Sequence, residues 1–233
     1  METSLHRDLK LHYAVDENAT EVEVDGYRID AIDEAGALIE VQHASLAALR
    51  TKTEKLLSKR GNRVTIVKPI IVRKRVTTLA KAGGEVIRSR MSPCKGDILD
   101  VFEDLVHFST VFPRRKLTLE LALIEMEEIR IDRARPTRRG KRYKTVDQKL
   151  VRVHGSTQLM SKADLLEMLP LQHLPNPFDT AELAAAIGRK RWFAQKVAYC
   201  LRKTGAAKMV GKRGKSQLYK VPKRAIKNAK EAA

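Results

Sequence analysis

The reading of the fold turns on Val24-Asp25-Gly26-Tyr27-Arg28-Ile29-Asp30-Ala31-Ile32 and the segment that follows it, Leu38-Ile39-Glu40-Val41-Gln42. Both are apolar runs of strand length, joined by a Gly-containing turn at Asp33-Glu34-Ala35-Gly36. Within the strand-forming parts, 27–32 and 38–42, stand two carboxylates, Asp30 and Glu40, ten positions apart. A carboxylate inside a buried strand is costly unless it is paired or binds a metal. Two of them on one β-hairpin therefore suggest an acidic metal site.

Outward from this hairpin, residues 2–14 read as an amphipathic helix with Leu5, Leu9 and Tyr13 on one stripe. A strand over 20–25 precedes the hairpin strands at 27–32 and 37–42. Ser45 to Lys59 reads as a helix whose buried face is Leu46, Leu49, Thr53, Leu56 and Leu57, with Gly61 as its stop. Arg63 to Val72 is β-branched and continuous, as a central strand should be. Helix, strands, helix, strand is the order of a mixed α/β sheet flanked by helices. Beyond it, 73–96 reads as a loop or excursion and 98–108 as a helix. Residues 116–131 read as a strand or long hairpin arm, and 146–154 as the returning strand. The turn between them, 133–144, contains seven Lys and Arg.

Composition narrows the class. The chain has 233 residues, 43% of them hydrophobic, which suits a folded protein of one large or two small domains. No apolar run approaches the roughly 18 residues of a membrane span. The start of the chain lacks a secretory pattern. Cys94 and Cys200 have no partner at metal-ligand spacing, so a reducing, cytoplasmic setting is expected.

The formal net charge is +18. Residues 177–233 hold 15 Lys and Arg against 3 Asp and Glu, whereas the preceding 176 residues hold 31 against 25. That asymmetry marks a polyanion-binding module near the C-terminus, and nucleic acid is the expected partner.

The same region has a distinct outline. Ser161-Lys-Ala-Asp164 and Asp179-Thr-Ala-Glu182 each open a helix with a capping-box pattern. A third helix spans about 190–203, and 207–221 reads as two short strands around Gly211-Lys212-Arg213-Gly214. Three helices and a basic hairpin outline a winged helix-turn-helix over 157–222, with a basic tail at 223–233. Its DNA-facing candidates are Lys190, Arg191, Gln195, Lys196 and Arg202 on the third helix, with Lys212, Arg213 and Lys215 in the wing. Gln195 is of the type that reads adenine. Trp192, Phe193, Val197 and Leu201 are assigned to the core.

With these elements in place, residues 1–72 resemble the PD-(D/E)XK (restriction-endonuclease-like) nuclease superfamily. Asp30 matches the strand Asp of that motif, and Glu40-Val41-Gln42 matches its Glu-x-Lys triplet with Gln in place of Lys. Glu2 is the best match for the Glu of the first helix, with Asp8 a weaker one. The resemblance implies a restriction-endonuclease-like domain over 1–156 that hydrolyses DNA phosphodiester bonds with Mg²⁺ or Mn²⁺. Asp30, Glu40 and the Val41 carbonyl would hold the ion, Glu2 would assist, and Gln42 would orient the attacking water. Lys52 or Lys55 could supply a cation, and His43 could meet the scissile phosphate. Double-strand cutting would favour a homodimer. Two other readings stay open: a DNA-binding regulator on an inactive nuclease scaffold, and a structure-selective repair factor whose 133–144 turn grips a second duplex. Asp30 and Glu40 would then be strand carboxylates paired to Arg28 or nearby lysines.

Overall fold

A computed structural model describes residues 2–138, 140 and 142–226. The fold is mixed α/β with an open, mixed sheet. Two compact units divide the chain: residues 1–43, 65–98 and 120–157 form one, and residues 44–64, 99–119 and 158–233 the other. The second unit takes in more chain than the expected 157–222 module. Its extra segments carry a helix that packs on the module's longest helix, which is why they cluster together.

Unit 1 is built on a seven-stranded sheet. Its strands are β1 (Thr20–Val24), β2 (Tyr27–Ile32), β3 (Leu38–Val41), β4 (Val64–Leu79), β5 (Val86–Met91), β6 (Leu117–Asp132) and β7 (Tyr143–Leu159). The order is β1-β2-β3-β4-β6-β7, with β5 paired to β4. β1 and β2 run antiparallel through a two-residue turn at Asp25-Gly26, with Val24 opposite Tyr27. Both turn residues have positive φ, 52° and 77°, the geometry that matches the right-handed twist of the flanking strands. β2 and β3 are also antiparallel, with Ala31 opposite Ile39.

Helix α1 (Ser4–Tyr13) lies on this sheet. Leu5 and Leu9 are fully buried against Ala31, Ile39, Val41, Val67, Ala122, Ile124 and Met126. The helix is tied at its start as well. Asp147 on β7 accepts from the Ser4 backbone N–H at 3.0 Å and from its hydroxyl at 2.6 Å. A carboxylate there satisfies an orphan amide and complements the helix dipole.

The sheet holds more strand than the sequence pattern indicated. Residues 73–96 do not form a loop: β4 continues to Leu79 and β5 returns beside it. Arg73, Lys74 and Arg75 stand in a row and every position of β5 is exposed, so no period-2 apolar signal is left. β7 likewise runs from 143 rather than 146 because its outer face is polar.

In unit 2, helix α2 is Arg50–Ser58 and α3 is Val101–Leu105. They precede α4 (Lys162–Glu167), α5 (Thr180–Ala186), α6 (Arg191–Lys203) and a hairpin of β8 (Lys208–Arg213) and β9 (Ser216–Lys220). Both expected capping boxes are present, at Ser161/Asp164 and Asp179/Glu182. Helix α6 buries Phe193, Val197 and Leu201, and the Cys200 thiol approaches the Phe102 carbonyl of α3 at 3.5 Å. Trp192 departs from its core assignment: it is 51% exposed, with the Lys196 ammonium 4.6 Å from its ring centroid. Among the described residues no helix is long and apolar enough to cross a membrane.

Because Leu9 is fully buried beneath α1, Leu9→Ala should lower stability by about 3 kcal/mol through lost transfer energy and a residual cavity. Urea unfolding should show a lower midpoint at an unchanged m-value.

Candidate functional site

Glu2, just ahead of α1, and His6 and Lys10 on it share one stripe at helical spacing. This stripe borders a cleft of about 590 Å³ whose lining also includes Glu21 of β1, Arg28 and Asp30 of β2, His43 and Gln148. Glu2 and Asp30, two of the residues expected from the motif, therefore meet in one site.

Lys10 is the centre of that site. It is only 4% exposed, so its ammonium needs compensation. Its Nζ lies 2.6 Å from Glu2 Oε1 and 3.7 Å from Asp30 Oδ1. Glu21 completes the set, pairing with both Lys10 and Arg28. Glu21 takes a left-handed φ of 58°, a strained conformation for a residue with a side chain.

Asp30 is held from three sides. Its Oδ2 accepts the Val41 backbone N–H at 2.8 Å, and His6 Nε2 lies 3.5 Å from Oδ1. Burial alone would raise its pKa, but the His6 hydrogen bond, the Val41 amide and the charges of His6 and Lys10 outweigh burial and hold the carboxyl below its usual range. Asp30 is thus ionised across ordinary pH. Val41 serves the site through its N–H, whereas a carbonyl ligand had been expected of it.

His43 presents a different chemistry. Burial, aided by the charges of His6 and Lys68, pushes its pKa down from 6.5 to about 4, so the ring is neutral near pH 7. Its Nε2 is buried and has no hydrogen-bond partner among the described residues. Lys68, 8% exposed on β4, donates to the His43 carbonyl at 2.9 Å and fixes the chain there.

The β2–β3 register puts Glu40 opposite Asp30, yet Glu40 is 4% exposed within β3 and, like Gln42, is not among the described residues that line the cleft. The Gln42 backbone N–H bonds the Val67 carbonyl at 2.9 Å. Lys52 and Lys55 belong to α2, in unit 2.

Magnesium or manganese would need several hard oxygens free to turn toward one point. Here Glu2, Glu21 and Asp30 do converge, but on the Lys10 ammonium, which takes the cation's place. Among the described residues no three His, Cys, Asp or Glu side chains are grouped to hold an ion. As the side chains stand, the site does not fit a divalent metal.

Sequence reasoning passed over Lys10 and Glu21, took His6 as a packing or surface residue, and named Arg28 only as an alternative partner for the strand carboxylates. The spacing of Glu2, His6 and Lys10 on one helix face was available as a signal. The approach of Glu21 and Arg28 depends on the register of β1 and β2.

In unit 2 the polar candidates divide by partner. Lys196 pairs with Glu103 at 3.0 Å, and Arg213 with Glu182 at 2.7 Å. Arg191 donates to Ser216 at 3.0 Å and to Thr180 at 3.4 Å. Lys190, Arg202, Lys212 and Lys215 are exposed and have no acidic partner among the described residues, and Gln195 is exposed on α6. Of the basic tail, residues 227–233 lie outside the described residues.

The His43 shift makes stability pH-dependent. Its folded pKa lies below its unfolded value, so the unfolded chain takes a proton that the folded site refuses. Stability should fall as pH drops from 6.5 toward 4. The Asp30 contribution, present above the ordinary carboxylate range, is lost only as pH falls through its lowered folded value. His43→Gln should remove about 2 kcal/mol of the stability difference between pH 7 and pH 4.5, measured by urea unfolding at both pH values.

No curated protein and no solved structure matches the chain. One family does match, over residues 3–160, a span that holds the sheet and nearly all of the cleft and stops ahead of α4. The chain belongs to that family, described as a domain of unknown function (DUF8091).

Proposed function

We propose that this protein binds duplex DNA, using a PD-(D/E)XK-like, restriction-endonuclease-like domain joined to a winged helix-turn-helix. The observation that carries the reading is the set of unpaired cations on unit 2. Lys190 at the N-cap of α6 and Arg202 on it, with Lys212 and Lys215 at the β8–β9 hairpin, are exposed and lack acidic partners among the described residues. Helix α6 would present Lys190 and Gln195 to the major groove, and the Gly211-to-Lys215 turn would act as the wing against the backbone. Arg191, Lys196 and Arg213 are tied within the unit, so they serve to shape the surface that the free cations present.

The restriction-endonuclease-like reading of unit 1 is supported by its succession α1, β1–β3, β4 and by sheet order β1-β2-β3-β4 with β2 antiparallel to both neighbours. Endonuclease activity is the second reading. It is favoured by one observation: Glu2 and Asp30 meet in the cleft around a single cationic point. In the structure that point is Lys10, whose ammonium balances the acidic groups. A phosphate entering the cleft would meet Lys10 and Arg28 as counter-charges, with Asp30 ionised and the His43 ring neutral beside them.

Two measurements test these readings. Duplex binding followed by fluorescence anisotropy in EDTA should weaken steeply with salt, and Lys212→Ala/Lys215→Ala should lower the log–log slope by about 2. A wild-type slope in that variant would remove the wing from the DNA contact. For cleavage, supercoiled plasmid is incubated with Mg²⁺, Mn²⁺ or EDTA, comparing wild type with Asp30→Ala. Binding without nicking in any buffer supports the non-cleaving protein. Nicking by wild type that Asp30→Ala abolishes, with binding retained, supports the endonuclease.

A further inference from the structure

Away from the cleft, the positive charge of the first 176 residues is concentrated in two places. Residues 73–95 hold seven Lys and Arg against one acidic residue, and residues 133–144 hold seven against none. All other residues before 177 together hold 17 Lys and Arg against 24 Asp and Glu. The first 176 residues are therefore net acidic apart from two basic hairpin segments. The first of these, the β4–β5 hairpin, lies wholly within the described residues and has no role in the site above.

Its construction separates anchor from surface. On β4, Val76, Thr77 and Thr78 are buried, and the Thr77 hydroxyl bonds Glu127 at 2.5 Å and Ser89 at 3.1 Å. Lys74 is held by Glu128 at 3.0 Å, and Arg73 lies 3.5 Å from Glu125. β5 is exposed at every position. Arg88 lies opposite Thr78 and Arg90 opposite Val76, so the two arginines share one face of the arm. Neither has an acidic partner among the described residues. Near the turn the register shifts, with Leu79 opposite Val86 and Thr78 opposite Arg88, leaving Ile87 as the extra residue of a bulge. Val86 and Ile87 are 60% and 64% exposed.

We propose that the β4–β5 arm is a second DNA-contacting element, in which Arg88 and Arg90 bind phosphates while Val86 and Ile87 press into the minor groove. The inference rests on the DNA-binding reading above and extends it to unit 1. Exposed guanidiniums without carboxylate partners suit phosphate oxygens, which they bind bidentately. An apolar tip flanked by cations matches the way minor-groove proteins seat aliphatic wedges against sugars and base steps. A second copy of the chain is the competing occupant. Strand-to-strand pairing along β5 would bring Arg88 and Arg90 against like charges, which edge strands use to prevent such association.

The two halves of the proposal give different readouts in the full-length protein. Arg88→Ala/Arg90→Ala should lower the salt slope of duplex binding by about 2 and weaken affinity at least tenfold at moderate salt. Val86→Ser/Ile87→Ser should weaken affinity severalfold with the slope unchanged, because no phosphate contact is lost. Lys59→Ala/Arg60→Ala, which removes the same charge from an exposed end of α2, should match wild type, and circular dichroism checks that each variant is folded. Binding by Arg88→Ala/Arg90→Ala with wild-type slope and affinity overturns the arm while leaving the DNA reading standing. If wild type itself binds no duplex at low salt, both fail together. A wild-type dimer converted to monomer by Val86→Ser/Ile87→Ser in analytical ultracentrifugation would instead assign the tip to self-association and overturn the proposal.

Discussion

Burying the ammonium of Lys10 is the constraint around which the cleft is organised. A lysine at 4% exposure cannot keep its charge without compensation. Its position is set by Leu5 and Leu9, which seat α1 on the sheet, and by Asp147, which holds the start of the helix. Once α1 is seated, carboxylates must come to the amine, and they come from three different elements. Glu2 arrives from ahead of the helix, Asp30 from β2, and Glu21 from β1. The left-handed backbone of Glu21 is part of the cost of that arrangement. Charge compensation of Lys10 accounts for the convergence of these acidic groups.

Much of the scaffold was legible in the sequence, because strands β1 to β3 and helices α1, α5 and α6 carry strong periodicity or capping residues. The carboxylate pair was legible only in part. Spacing singled out both Asp30 and Glu40, but every residue of β3 is buried, so alternation gives no sign of which of its side chains reach the cleft. Lys10 was hidden because a lysine on an amphipathic helix reads as solvated by default; its burial follows from the docking of α1. The β4–β5 arm was hidden for the opposite reason. Its outer strand is exposed on both faces, so no apolar alternation remains for a sequence reading to find.

The charge of the chain is best understood as a division of labour. The core of the sheet domain carries a net negative charge, and its cations are mostly matched. Lys74 and Arg130 share Glu128, and together they hold its carboxyl at about pKa 2 against the opposing effect of burial. The unmatched cations stand out on hairpins and on α6. Within each unit a polyanion would be drawn to those segments rather than to the acidic remainder.

The two-residue turn at Asp25-Gly26 has a reach beyond local geometry. It closes β1 onto β2 at Val24 and Tyr27, and in that register Glu21 falls opposite Asp30. A slip of a single position would carry Asp30 to the other face of the sheet and leave Lys10 without one of its acidic neighbours. Gly26 thus acts as a register stop for a cleft it does not touch. A change of turn length there would rewrite the chemistry of the site while leaving every residue that lines it intact.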